Sequence, residues 1–319
     1  MKYCIGVDLG GTNIAVGLIE PDSRRIVDKH SVKTNAPRPC REISHDIHSV
    51  CLELCKRASI SLSDVAWIGV ATPGIVKNRV VVSAVNLGWT NEPFGDILAE
   101  ITGRPTFVAN DANAAAYAEA IWGSGAGASS VIAVTLGTGV GGGIILNGKI
   151  WEGINGFAAE LGHMVVDVGG RFCGCGQRGC LEAYCSATAL VSEAKRMMKL
   201  YPDSLMWRLS AEHQGRVNGI IPFQAQRQGD IAATQVVDDF IDYLAIGIAN
   251  IINMFQPEVV CVGGGISGEG ENLMRPLRDK LKYISFGTND SRTKVVAAQF
   301  RNDAGIIGAG LLGFMEEKN

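Results

Sequence analysis

The chain has 319 residues and a formal net charge of -3, with 29 Lys and Arg against 32 Asp and Glu, which excludes the basic footprint of a nucleic-acid binder. Its length favours two domains over a single core, and its apolar runs are strand-length and broken by Gly, too short to span a bilayer. The acidic Asp8 arrives too early for a secretory leader, so the expectation is a cytoplasmic protein with no membrane and no nucleic-acid partner.

Tyr3 to Glu20 reads as strand, glycine turn, strand, because Ile14, Val16 and Leu18 alternate with period two after Gly10-Gly11-Thr12. A Rossmann or Walker phosphate loop needs a helix after its glycines, so neither is expected. Roughly Arg41 to Ser59 reads as a helix with Ile43, Ile47, Val50, Cys51 and Leu54 on one face. Val65 to Thr72 reads as a buried strand ended by Pro73-Gly74. Phe94 to Thr102 follows as a short helix, Thr106 to Ala109 as a strand and Ala112 to Trp122 as an alanine-rich helix. The glycines between Gly123 and Gly127 have the composition of a hinge.

The opening then repeats. Val134-Thr135-Leu136-Gly137-Thr138-Gly139 matches Val7-Asp8-Leu9-Gly10-Gly11-Thr12 at three of six positions, and both run on into strand. The second copy turns at Asn147-Gly148, a strong hairpin signal. Two such openings suggest a duplicated α/β architecture with phosphate gripped between the halves. A Cys- and Gly-rich loop spans Gly169 to Gly179, with helix signals from Leu181 to Tyr201 and from Ile231 to Phe255. Gln256 to Val262 reads as a strand running into Gly263-Gly264-Gly265, with a helix after it; Lys294 to Phe300 is a further strand and Ala304 to Met315 a small-residue helix. The apolar face of Ile241 to Ile252 suits either a core or an interface. The domains are expected at 1–122 together with the C-terminal helix of about 304–319, and at 123–303.

Three glycine turns, at Gly10 to Thr12, Gly137 to Gly143 and Gly263 to Gly265, expose backbone N–H groups that can cradle an anion, with Thr12 and Thr138 adding hydroxyls. One such turn is an ordinary β-turn; three, two of them in repeated hairpins, favour nucleotide phosphate. Asp8 is placed either to hold Mg²⁺ through water or to form an Asx turn. His163, Cys173, Cys175 and Cys180 supply one imidazole and three thiolates, a complete tetrahedral set for structural Zn²⁺. A redox pair or reduced thiols are the alternatives, although the spacing is not Cys-x-x-Cys. Glu160 and Glu182 flank that loop, suited to accept from sugar hydroxyls, with a first-turn helix carboxylate as the plainer role for Glu182. Asp111 follows Asn110 at the end of a strand, where it can act as a general base or where either residue can cap the next helix. Asn86, in Asn86-Leu87-Gly88-Trp89, adds a neutral donor and acceptor in a loop.

These motifs resemble the ROK family of sugar kinases and regulators, most closely its glucokinases. The stretch that carries the resemblance furthest is Leu136 to Glu182, with Gly137-Thr138-Gly139-Val140-Gly141-Gly142-Gly143, Glu160-Leu161-Gly162-His163 and Cys173-Gly174-Cys175-Gly176-Gln177-Arg178-Gly179-Cys180-Leu181-Glu182. The resemblance implies the two-domain, actin-like (ribonuclease-H-like) α/β ATPase fold with a central interdomain cleft. It further implies transfer of phosphate from ATP, with Mg²⁺, to glucose at O6, and a homodimer. By position it implies Asp111 as catalytic base, sugar contacts from Asn86, Asn110, Asp111, Glu160, His163 and Glu182, and a zinc site of His163, Cys173, Cys175 and Cys180. Nucleotide contacts would come from Asp8, Gly10, Gly11, Thr12, Asn13, Gly137, Thr138, Gly139, Gly263, Gly264 and Gly265. One departure stands out: Ala158-Ala159-Glu160 lies where many family glucokinases carry Gly before the Glu, and N-acetylmannosamine kinases can show Ala-Ala-Glu. N-acetylmannosamine, N-acetylglucosamine or another hexose is therefore the alternative acceptor, although the Asn86 to Trp89 loop resembles glucokinase. The family's repressors carry a winged helix-turn-helix ahead of the kinase-like part, for which the sequence before Asp8 leaves no room.

Overall fold

In the computed structural model, residues 3–286 and 293–316 are described. The chain runs β1 (Tyr3–Leu9), β2 (Asn13–Glu20), β3 (Arg25–Lys33), α1 (Cys40–Arg57), β4 (Val65–Thr72), β5 (Ile75–Lys77), β6 (Val80–Ala84), β7 (Trp89–Glu92), α2 (Phe94–Thr102), β8 (Thr106–Asn110) and α3 (Asp111–Ile121). It continues through β9 (Ser130–Leu136), β10 (Val140–Leu146), β11 (Lys149–Ile150), α4 (Glu182–Cys185), α5 (Ala187–Leu200), α6 (Leu205–Glu212), α7 (Ile221–Gln226) and α8 (Ile231–Phe255). It closes with β12 (Val259–Gly263), α9 (Glu271–Ile284), β13 (Lys294–Ala297), α10 (Ala304–Leu311) and α11 (Gly313–Glu316).

Two five-stranded sheets have the orders β3-β2-β1-β4-β8 and β11-β10-β9-β12-β13. Each therefore places its first strand between its second and fourth, the same order twice. In the first sheet β1 and β2 form an antiparallel hairpin, while β4 is parallel to both β1 and β8. In the second, β12 is parallel to both β9 and β13. The residues cluster into two compact units: one takes the chain up to Ser130, Gly143–Ala159 and everything from Asn302, and the other takes Val131–Gly142 and Glu160–Arg301.

In the first unit α10 packs directly on the sheet because glycines remove the side chains between them. A Cβ at Gly6 would overlap the Ile306 carbonyl, and one at Gly69 the Ala309 carbonyl. Gly308 makes the same approach to Ala114 of α3. Backbone distances this short leave room for nothing larger. The α1 face read from the sequence is buried throughout, with Ile43, Ile47, Cys51 and Leu54 against Ile5, Val7, Ile14 and Val16. In the second unit the α8 face of Ile241, Leu244, Ile248, Ile251 and Ile252 is buried by its own chain, which resolves its role as core.

Several elements differ from the sequence expectation. The helix expected from Leu181 to Tyr201 is two helices, α4 and α5, divided at Ser186, which adopts extended backbone and caps α5 with its hydroxyl on Ala189 N–H. The helix after Gly265 is first a 3₁₀ turn, Gly265–Glu269, and only then α9. The last strand stops at Ala297 instead of Phe300. The strand β3, the small β5-β6-β7 sheet, and α6 and α7 carry weak periodicity and were not expected. Six cysteines outside the loop, Cys4, Cys40, Cys51, Cys55, Cys185 and Cys261, are buried as small apolar side chains.

Candidate active site

In the first unit Asp8, next to last in β1, and Asn110, last in β8, lie on strands parallel to β4 and on either side of it, at the carboxyl edge where α/β sheets gather ligands. The turn after Asp8 is closed by Gly10 N–H donating to Asn13 C=O at 2.9 Å and by the Thr34 hydroxyl on Gly10 C=O at 2.6 Å. Gly11 lies against Asn86, and any side chain at Gly11 would press on the Asn86 Cβ. Asn86 itself is exposed, in a 3₁₀ turn ended by Gly88 in the left-handed region. Thr12 and Asn13 are exposed, and the Asn13 side-chain oxygen accepts from Lys33 Nζ at 2.9 Å.

The cap of α3 is Asn110. Its side-chain oxygen accepts from Ala112 N–H at 2.9 Å and Asn113 N–H at 3.2 Å, and its amide donates to Gly74 C=O at 3.0 Å. Asp111 is thus relieved of the main capping duty, although Oδ1 still accepts from Ala112 N–H at 2.8 Å. Its surface faces solvent while protein surrounds its base. The resulting desolvation raises its pKa, against hydrogen bonds from the local backbone and Asn110 that lower it. Asp8 is pushed up to about 6, first by burial and then by the negative charge of Asp111. Its carboxylate is pressed against Gly305 in the first turn of α10, where a Cβ would collide with it. Two carboxylates close enough to feel each other form a site that gains from a cation.

In the second unit the Gly137 turn is closed by Gly137 N–H to Gly139 C=O at 2.9 Å. It is tied to the start of α5 by Ala187 N–H to Gly137 C=O at 2.8 Å and by the Thr188 hydroxyl to Thr138 C=O at 2.8 Å. Gly264, at φ +85°, lies against the Leu136 backbone so closely that no Cβ fits. Two of the three glycine turns therefore meet at the ends of neighbouring parallel strands, β9 and β12. Gly263 ends β12, and Gly265 is open, with nothing near its Cβ position.

His163, Cys173, Cys175 and Cys180 bring one donor atom each within 4.8 Å of one another. Cys175 Sγ and Cys180 Sγ are 3.7 Å apart, and Cys173 Sγ is 3.7 Å from His163 Nδ1. Sulfurs at about 2.3 Å from a tetrahedral zinc stand about 3.8 Å apart, whereas a disulfide needs about 2.05 Å. The donor set and its spacing fit Zn²⁺ with no ligand position left open. The other ring nitrogen, His163 Nε2, faces Glu160 Oε2 at 4.0 Å. Glu182 opens α4; its Oε2 accepts from Val140 N–H at 2.9 Å, and its Oε1 lies 3.8 Å from Cys173 Sγ.

Sequence reasoning passed over a cleft of about 850 Å³ beside Thr138, lined by Arg171, Glu182, Ser192, Lys195 and Arg196 among others. Its signal in the sequence is the run Lys195-Arg196 followed by Lys199 on α5, a basic helix face that periodicity alone reads as solvated. Such a cleft suits an anionic ligand that extends away from a phosphate turn.

A repeated sheet of this order, each copy ending in glycine turns and the first carrying Asp8 and Asp111 at its edge, defines the actin-like ATPase fold and, with the His-Cys₃ loop, the sugar-kinase class within it. The chain belongs to the ROK family, whose profile it matches over residues 4–314. It is 38% identical to a glucokinase of Thermotoga maritima over 308 residues, covering 96% of this chain and 95% of that one. A glucokinase of Halalkalibacterium halodurans is 36% identical, with coverage of 100% and 97%. Among solved structures, the ROK family glucokinase of Streptomyces griseus in complex with glucose and AMPPNP superposes with a TM-score of 0.80 at 35% identity, covering 97% of this chain and 98% of that one.

Proposed function

We propose that this chain is an ATP-dependent glucokinase that transfers the γ-phosphoryl group of ATP to O6 of glucose. The observation that carries the reading is the full-length likeness to a glucokinase that binds both glucose and an ATP analogue. Asp111 is the base: as glucose O6 attacks the γ-phosphorus, Asp111 takes the O6 proton, the bond from that phosphorus to the β,γ-bridging oxygen breaks, and ADP leaves. Mg²⁺, when bound, neutralises charge on the phosphates, and Asp8 is the residue to hold it through water. Asn86, Asn110, Glu160, His163 and Glu182 bind the sugar hydroxyls, and zinc at His163, Cys173, Cys175 and Cys180 keeps the carboxylates of its loop in place. The turns at Gly10 to Asn13, Gly137 to Gly139 and Gly263 to Gly265 hold the nucleotide, whose remainder extends into the cleft along α5. The reading includes a cytoplasmic homodimer, which light scattering in solution checks.

An N-acetylmannosamine kinase is the second reading, favoured only by Ala158-Ala159-Glu160. ADP release with MgATP across glucose, N-acetylmannosamine, N-acetylglucosamine and fructose separates the two. Turnover highest on glucose supports the first reading, and turnover confined to an acetamido sugar replaces it.

A further inference from the structure

The loop from Met164 to Leu181 has two anchors. Zinc donors grip its distal part and its base. The turn between them, Asp167 to Arg171, contains no zinc donor. It is held instead by Tyr184 of α4, which is 4% exposed. The Tyr184 hydroxyl donates to Asp167 Oδ2 at 2.7 Å and accepts from the Arg171 N–H at 2.7 Å. A second hydroxyl, from Tyr243 of α8, lies 3.4 Å from the same carboxylate oxygen. The two rings are stacked, with centroids 3.9 Å apart and planes at 27°. Burial, and after it the nearby Asp167 carboxylate, raises the pKa of both phenols and keeps them proton donors. Arg171 covers the Tyr184 ring at 4.7 Å and pairs with Glu193 of α5 at 2.8 Å. Side chains are excluded around this knot: a Cβ at Gly170 would overlap the Tyr184 hydroxyl, and one at Gly179 the Asp167 carbonyl.

Tyr184 stands two residues after Glu182 on the same helix, and residues two apart point to opposite sides of a helix. The helix α4 is a single turn of four residues without a side-chain cap, too short to hold its own orientation. We infer that Asp167 and Tyr184 are positioning residues that form a metal-independent clamp on α4, aiming the Glu182 carboxylate at the sugar while zinc secures the other side of the loop. The inference rests on the reading of Glu182 as a sugar ligand.

The test uses the zinc-loaded, full-length enzyme and the variants Tyr184→Phe, Asp167→Asn, the double variant and Glu182→Gln. Tyr184→Phe is expected to keep one zinc per chain and raise the glucose KM about 5- to 20-fold, while kcat and the ATP KM stay within about two-fold. Asp167→Asn, whose amide oxygen can still accept from the Tyr184 hydroxyl but carries no charge, is expected to raise it less, and the double variant to add little to Tyr184→Phe, since the two share one hydrogen bond. Tyr243→Phe, which loses only the longer contact, is the milder variant if either single change fails to fold, with an expected rise of about two- to three-fold. A glucose KM unchanged in Tyr184→Phe while Glu182→Gln raises it overturns the clamp. Zinc lost together with sugar affinity overturns its independence of the metal. A glucose KM unmoved by Glu182→Gln overturns the premise about Glu182, a failure distinct from that of the clamp.

Discussion

Glu182 and Val140 are joined by a hydrogen bond in which the backbone N–H of Val140 donates to the carboxylate Oε2 at 2.9 Å. Val140 follows the second glycine turn directly, and Gly139 lies so close to the same carboxylate that a Cβ there would displace it. The residue proposed to bind sugar is thereby bonded to the turn proposed to bind phosphate. Helix-dipole attraction for a first-turn carboxylate, the plainer role for Glu182, adds to this bond without replacing it.

Asp111→Ala removes the proposed base while leaving the Asn110 cap and its hydrogen bonds to Ala112 and Asn113 in place. The helix α3 should therefore survive, and kcat should fall by about two to four orders of magnitude. Glucose titration by calorimetry should still detect binding. Turnover retained within a few-fold would remove Asp111 from the mechanism.

Asp8 and Asp111 also set a pH dependence. Asp8, raised to about 6 by burial and by Asp111, loses its charge as pH falls through that value. The kcat/KM for MgATP should therefore drop below about pH 6, and Asp111→Asn should move that limb to lower pH by removing the neighbouring charge. For stability the sign is opposite to that of an ion-paired carboxylate. The folded state binds the Asp8 proton more tightly than the unfolded state, so stability is lost as pH rises from about 4 to about 6. Asp8→Asn should raise the Tm of the magnesium-free protein by about 2–6 °C at pH 7.5 and leave it unchanged near pH 4. A lower Tm at pH 7.5 would refute the desolvated placement of Asp8.

Much of this was readable in the sequence, for physical reasons that can be named. Period-two alternation after Gly10, and the repeat of that opening at Gly137, gave two hairpins, since side-chain alternation and turn chemistry are local properties. The His163-Cys173-Cys175-Cys180 set was readable because only a few ligand spacings close around one ion. What stayed hidden depends on distant chain. The break at Ser186 is made by a cap and by Ala187 N–H bonding to Gly137, fifty residues upstream. Helices α6 and α7, and the Asp167-Tyr184-Tyr243 knot, are decided by packing that no window of residues contains. Whether Asn110 or Asp111 caps α3 turned on which oxygen reaches the free N–H groups, a matter of rotamer.

Cys175 is the exposed member of the zinc set, so a chelator should reach the ion from that side. Cys175→Ser, or chelation, should remove one zinc per chain, measured by metal analysis. It should raise the glucose KM by about ten-fold or more while changing the ATP KM by less than about three-fold, because His163 and Glu182 border the released loop on either side and the Gly263 turn does not. An equal rise in both constants would mean that zinc supports the whole unit and not the sugar side.

Ala159, where the resemblance to the family's glucokinases would place glycine, has a conformational reading. Ala159 stands at φ +66°, the left-handed region that a non-glycine residue occupies at a cost of about 1–2 kcal/mol. Alanine here holds a backbone that glycine would adopt freely. Ala159→Gly relieves the strain but returns about 0.4–1 kcal/mol of freedom to the unfolded chain, leaving a net gain of about 0.5–1 kcal/mol. The Tm should rise by about 1–3 °C. If the alanine only tolerates the glycine conformation, the ratio of glucose to N-acetylmannosamine turnover should stay within about two-fold of the parent. A swing of ten-fold toward glucose would instead make the Ala159 methyl a determinant of acceptor choice and would strengthen the acetamido-sugar reading of the parent chain.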